Sequence, residues 1–293
     1  MIYTISDEKY TVSISDLGAE LISAISASGF EIMWAGKEFW LKHAPLLFPV
    51  CGRLKDKTYI VGGEAYSMDI HGFIAKRRFE LVKRTETKLT LINKSDEETK
   101  KLYPFDYTFI AEYELSGGRV ICKTKVINDS EKVMPFMFGW HHAFAFPDSV
   151  RVLEDFTFDF GDKTECTNHP GNSINAEAVL PIPAPERITL DGGKYKLDTD
   201  VLYDTDTVIL SDMGTKLTMT DGKNYSLKLS WSENLKYLCM WKKPDNAARY
   251  LCIEPWSNSA RGVENAQNFD LRDMQRLAPG ESEEFFYEFE LEN

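Results

Sequence analysis

Four short segments carry polar side chains that a strand-rich core has no need of. Glu254 stands in Cys252-Ile253-Glu254-Pro255-Trp256, between apolar residues and a Pro-Trp pair. A carboxylate facing inward there must be paired or kept for its chemistry, whereas one facing outward would be a solvated group beside a lysine. Pro255 is expected to end the strand and to leave Glu254 at its terminus. His141 and His142 lie in Met134-Pro135-Phe136-Met137-Phe138-Gly139-Trp140-His141-His142-Ala143-Phe144. An aromatic, poorly solvated setting shifts imidazole pKa values and suits proton transfer near neutrality, but it equally suits structural histidines. His71 precedes a glycine in Asp69-Ile70-His71-Gly72-Phe73, where the backbone can come close to a ligand or the His can simply be hydrogen-bonded. Arg53 ends Leu47-Phe48-Pro49-Val50-Cys51-Gly52-Arg53. Its planar fork of donors suits sugar oxygens or carboxylates, and it also reads as a surface arginine beside a turn glycine.

The elements that must position these residues read as strands nearly everywhere. Period-two alternation marks residues 11–15, 88–91, 108–115, 119–126, 216–220, 225–231, 237–241, 250–253 and 284–291. Turn signals separate them at Gly62-Gly63, Asn93 to Asp96, Gly117-Gly118, Asn128-Asp129 and Asp221-Gly222. No segment holds a helical period over three or four turns, and residues 17–27 fit a strand as well as a helix. Many short strands without alternating helices predict an all-β fold, a sandwich or barrel. The stretch from Pro170 to Pro185 reads as a loop, and strands resume after it. No linker divides the chain, so one domain over 1–293 is expected. Adjacent strand residues point to opposite faces, so His141 and His142 are not expected to share one pocket or one metal ion. No Asp or Glu completes a metal-ligand spacing beside them.

With 43% hydrophobic residues among 293, the chain can bury a large core. Its net charge of −12 repels phosphate polymers, so nucleic acid is not an expected partner. No apolar run is long enough to span a membrane, and the first residues show no basic-then-apolar leader. The five cysteines are scattered, with no CxxC pair. They point to neither a zinc ribbon nor a disulfide framework, and a cytoplasmic location is the default expectation.

Taken together, the FPVCGR run (Phe48 to Arg53), HGF (His71 to Phe73), the MPF…G-x-H…F stretch (Met134 to Phe144) and IEPW (Ile253 to Trp256) resemble the aldose 1-epimerase (galactose mutarotase) family. The resemblance is greater to its bacterial LacX-like branch, and order and spacing fit over essentially the whole chain. It implies a single β-supersandwich of mostly antiparallel sheets around an open sugar cleft. It implies Glu254 as general base and His141 as general acid, with Arg53 and His71 contacting substrate oxygens. It also implies a hydroxyl-binding aspartate, placed at Asp206 with Asp204 as a rival. The implied reaction interconverts the α and β anomers of a free hexose. No metal or organic cofactor is needed, because no electrons move. Two positions depart from the family pattern. His142 stands where the family has proline; His141 is kept as the acid because it follows the glycine at the expected distance. Ala75 stands where the family has arginine, followed by Lys76, Arg77 and Arg78. The alternatives are a hexose-6-phosphate 1-epimerase, which needs a cationic clamp, and a non-catalytic carbohydrate-binding module. A glycoside hydrolase would want a second catalytic acid. The identity of the sugar and the oligomeric state stay open.

Overall fold

The computed structural model describes all residues except 151, 170–183, 198, 200–201, 203–206, 246, 259–266 and 293. Two large antiparallel sheets dominate it. The first has nine strands, in the order Lys194–Tyr195, Thr157–Asp159, Lys216–Thr220, Ser226–Trp231, Ser282–Glu292, Arg119–Asn128, Tyr107–Ser116, Lys88–Lys94 and Glu80–Arg84. Its long central strands alternate buried and open residues, as one-faced burial requires. The second has eight strands. Seven follow the order Glu186–Thr189, Glu165–Asn168, Thr207–Ser211, Tyr237–Trp241, Tyr250–Trp256, Gly139–Trp140 and Leu46–Leu47; the eighth, His142–Ala145, also pairs with Tyr250–Trp256. A three-stranded sheet at the N-terminus and two hairpin-sized sheets complete the expected all-β supersandwich.

The two large sheets meet through aromatic side chains and cross-sheet hydrogen bonds. Tyr287 donates its hydroxyl to the carbonyl of Ile253 at 3.0 Å. The rings of Phe138 and Phe285 lie 4.7 Å apart, and those of Trp140 and Tyr287 5.8 Å apart. Residues 17–27 contribute a strand, Leu21–Ser26, and not a helix. The α-helix Glu97–Leu102 is too short to show a period in sequence. Asp96 nucleates it through a capping box with Thr99. Among the described residues no helix is long and apolar enough to cross a membrane.

Pro255 does not end its strand. The register continues through Leu238 opposite Pro255 and Tyr237 opposite Trp256. Proline's fixed φ is compatible with extended backbone, and the cost is one missing donor. Glu254 therefore lies inside a strand whose seven residues are all buried. Most of the loop expected between Pro170 and Pro185 lies outside the described residues.

Candidate active site

Strand periodicity puts Tyr250, Cys252, Glu254 and Trp256 on one face of their strand, and Leu251, Ile253 and Pro255 on the other. The second face meets the nine-stranded sheet, as the Tyr287–Ile253 bond shows. The first face looks away from that sheet. Antiparallel register adds Trp241 opposite Cys252 and Cys239 opposite Glu254 to it. Continuous burial of this strand thus has two causes, a core on one side and a site on the other.

The Glu254 side chain is 1% exposed. A carboxylate removed from water costs several kcal/mol unless a positive or hydrogen-bonding group faces it. His141 faces it, with Nδ1 3.4 Å from Glu254 Oε1. His141 sits at the break between Gly139–Trp140 and His142–Ala145, both paired with the strand that carries Glu254. The close approach depends on Gly139. A Cβ there would stand 2.5 Å from Trp256 Cδ1 and 3.1 Å from Cys51 Sγ, so no other residue fits without displacement.

Aromatic rings frame the His141 imidazole. Trp40 stacks on it at 4.9 Å with a 25° tilt, and Trp241 presents an edge at 5.6 Å. Burial pushes the imidazole well below its ordinary pKa, and the nearby His71 and Lys42 push the same way. The Glu254 carboxylate lies against that ring at 3.4 Å.

His142 turns to the opposite face. Its Nε2 lies 3.6 Å from Cys122 Sγ and its ring 4.9 Å from Tyr287, between the two large sheets. Burial brings its pKa down to about 3. It is a neutral core histidine.

His71 reaches the site from a loop that is stitched to the Arg53 segment. The His71 N–H donates to the Gly52 carbonyl at 2.9 Å, and the Gly52 N–H donates to His71 Nδ1 at 3.1 Å. His71 has φ +62°, a left-handed conformation costly for a residue with a Cβ, and these two bonds hold it there. Gly72 follows at φ +74°, where a Cβ would collide with the Phe48 carbonyl at 2.1 Å. Since Nδ1 accepts, the neutral ring carries its proton on Nε2. Burial, then Lys42 and Arg53, lower the His71 pKa to about 3, so the ring stays neutral. Its centroid lies 5.2 Å from that of His141 and 6.1 Å from that of Trp256. Arg53 is exposed beside it.

Glu254, His141 and His71 therefore converge, with Arg53 at the margin. Asp206 and its rival Asp204 lie outside the described residues. Sequence reasoning missed Trp40, Trp241 and Lys42. Trp241 could have been found from strand register opposite Cys252. Trp40 and Lys42 arrive on a loop that carries no motif. The cations after HGF are already engaged: Lys76 with Asp69 at 2.7 Å, Arg77 with Asp96, and Arg78 with Asp16 at 2.8 Å. Donor atoms of His141, Cys252 and Glu254 fall within 4.8 Å of one another, the one such grouping of three metal-capable side chains among the described residues. Chemically, the arrangement offers a buried carboxylate and an imidazole that can exchange a proton with a ligand from one side, and a fixed N–H donor beside them.

Comparison with known proteins finds similar sequences and similar folds over nearly the whole chain. LacX (chromosomal) of Lactococcus lactis subsp. lactis is 26% identical over 287 residues, covering 90% of each chain. The crystal structure of a galactose mutarotase related enzyme from Lactobacillus acidophilus superposes with a TM-score of 0.86 at 28% identity, over 100% of this chain and 98% of that one. A galactose mutarotase-like protein from Lactobacillus casei ATCC 334 gives 0.87 at 25% identity, over the full length of both. The family model for aldose 1-epimerase matches residues 1–290, and with nearly every residue inside that match the chain belongs to the aldose 1-epimerase family.

Proposed function

We propose that the protein catalyses the interconversion of the α and β anomers of a free hexose, with Glu254 as base and His141 as acid. The observation that carries this reading is their shared burial and 3.4 Å separation on one side of a single strand. Anomer exchange requires the hemiacetal to lose its O1 proton as the ring oxygen gains one. The ring opens to an aldehyde, the C1–C2 bond rotates, and closure on the other face reverses the proton transfers. Glu254 takes the O1 proton. His141 supplies the proton to the ring oxygen, and the two groups exchange roles on closure. The His71 Nε2–H donates to a sugar oxygen, Arg53 binds hydroxyls at the margin, and Asp206 binds hydroxyls from its segment. Trp40 and Trp241 exclude water from the pair, which strengthens each electrostatic contact inside. Each proton-transfer group is worth roughly 10²–10⁴ in rate. The chemistry is redox-neutral and needs no cofactor, and a neutral sugar is compatible with the net charge of −12.

The test is the optical rotation of freshly dissolved α-D-glucose and α-D-galactose. The protein should speed the approach to equilibrium, and Glu254→Gln, checked by circular dichroism for its fold, should not. No acceleration with either sugar overturns the free-hexose reading. Acceleration of hexose 6-phosphates alone would move the substrate to the phosphorylated class.

A further inference from the structure

The face that carries Glu254 also carries Cys252, two residues earlier on the same strand, and the Cys252 thiol is close to both Glu254 and His141. A thiol has no part in the anomer exchange above. Nor does His141 Nδ1 make a hydrogen bond among the described residues, although it is buried and faces this pair. A nitrogen, a sulfur and a carboxylate oxygen are the donors that a borderline-soft divalent ion selects, and zinc takes all three types.

The geometry points to a zinc site formed by His141 Nδ1, Cys252 Sγ and a Glu254 carboxylate oxygen, whose occupancy switches the enzyme off. Two ligands at about 2.1 Å from a tetrahedral zinc stand roughly 3.4 Å apart. His141 Nδ1 and Glu254 Oε1 are separated by 3.4 Å. The three donor atoms fall within 4.8 Å, so Cys252 Sγ needs to swing inward by roughly 1 Å to make a bond of about 2.3 Å. A neutral imidazole, a thiolate and a carboxylate together carry two negative charges, which balance the ion in a buried place. The thiol proton leaves to solvent as the sulfur–zinc bond forms. Three protein ligands leave a fourth position for water. His141 keeps 8% of its side chain exposed, so the site is not sealed. The metal is an inhibitor here, since it ties up the lone pairs that the acid and base need. Binding does not depend on the proposed reaction; the loss of turnover does.

The sequence spacing concealed this site, because its donors come from distant segments and meet only when the strands pair. The experiment is isothermal titration of zinc chloride into the full-length protein, treated beforehand with EDTA and desalted. Cobalt(II) absorption spectra are recorded in parallel. The wild type should bind one zinc ion and, with cobalt, develop a thiolate-to-metal charge-transfer band. Cys252→Ser should keep its turnover, lose the band, and bind zinc at least ~10-fold more weakly, since even outer-shell changes at metal sites cost about 10–100-fold. Glu254→Gln should weaken binding similarly, whether or not any sugar is a substrate. Absence of zinc binding by the wild type overturns the site. So does a band that persists in Cys252→Ser, because one of the other four cysteines would then be the ligand.

Discussion

The two large sheets use their second faces differently. On the nine-stranded sheet, the face away from the core is a lattice of ion pairs in water. Lys88 meets Glu112 at 2.8 Å, Lys123 meets Glu114 at 2.9 Å, Arg119 meets Glu288 at 2.7 Å and Lys125 meets Glu284 at 2.8 Å. On the eight-stranded sheet, the corresponding face of Tyr250–Trp256 is covered by Trp40, Trp241, His141 and His71. Charge on the first face is cheap and interchangeable. Charge on the second is desolvated, and so it can do chemistry. The contrast teaches that the site is built where a strand loses water on both sides and one residue on it stays ionisable.

The adjacent histidines sharpen that contrast most strongly, since one belongs to each face. His141→Gln should lower kcat by roughly 10²–10⁴ while leaving the urea midpoint nearly unchanged. His142→Gln should do the reverse: a stability loss of about 1–3 kcal/mol, with turnover close to that of the wild type. Urea titration and initial rates on both proteins read this out. If His142→Gln were folded yet inactive, the acid role would move to His142.

The same residue gives a pH signature. His142 is neutral in the fold with a pKa of about 3, while the unfolded chain protonates it near the ordinary value of 6.5. The unfolded state then binds more protons throughout that window. The His142 contribution is therefore complete above pH ~6.5 and is lost as pH falls toward 3, at up to about 1.4 kcal/mol per pH unit. Urea midpoints measured between about pH 7 and pH 5 should fall more steeply for wild type than for His142→Gln. Equal slopes would mean that His142 is solvated or charged in the fold.

The smallest effect belongs to the outer lattice. Lys123 is 46% exposed and pairs with Glu114. Lys123→Ala should cost no more than about 1 kcal/mol and leave turnover alone. A loss clearly beyond that would show that the outer face is not the permissive surface described here.

The architecture was legible wherever water touched one face. Residues 119–126 and 216–220 alternate in sequence because one side is solvated, and both are strands. Legibility failed where that condition failed. Residues 250–253 read correctly as a strand, but Pro255 reads as a stop although extended backbone admits it, so the strand's last three residues and its burial on both sides are not apparent. The Glu97–Leu102 helix is set by a local cap and leaves no period. For the site, Glu254 stood out as a carboxylate among apolar residues, and four motifs together singled out His141, His71 and Arg53. Trp40 and Trp241 gave no signal, since an aromatic residue near a strand is ordinary until register and loop path place it against His141.

The bond from the Gly52 N–H to His71 Nδ1 has a consequence for recognition. An imidazole is ordinarily bilingual, able to give a hydrogen at one nitrogen and take one at the other. Here the accepting nitrogen is committed to the backbone, so only its hydrogen is on offer to a ligand. A hydroxyl satisfies that contact with a lone pair. An ammonium, which has only hydrogens to give, does not, and an amino sugar placing its protonated nitrogen there would forfeit the contact. On the proposed function, a backbone amide nineteen residues away in sequence would thus select between oxygen and charged nitrogen on the ligand.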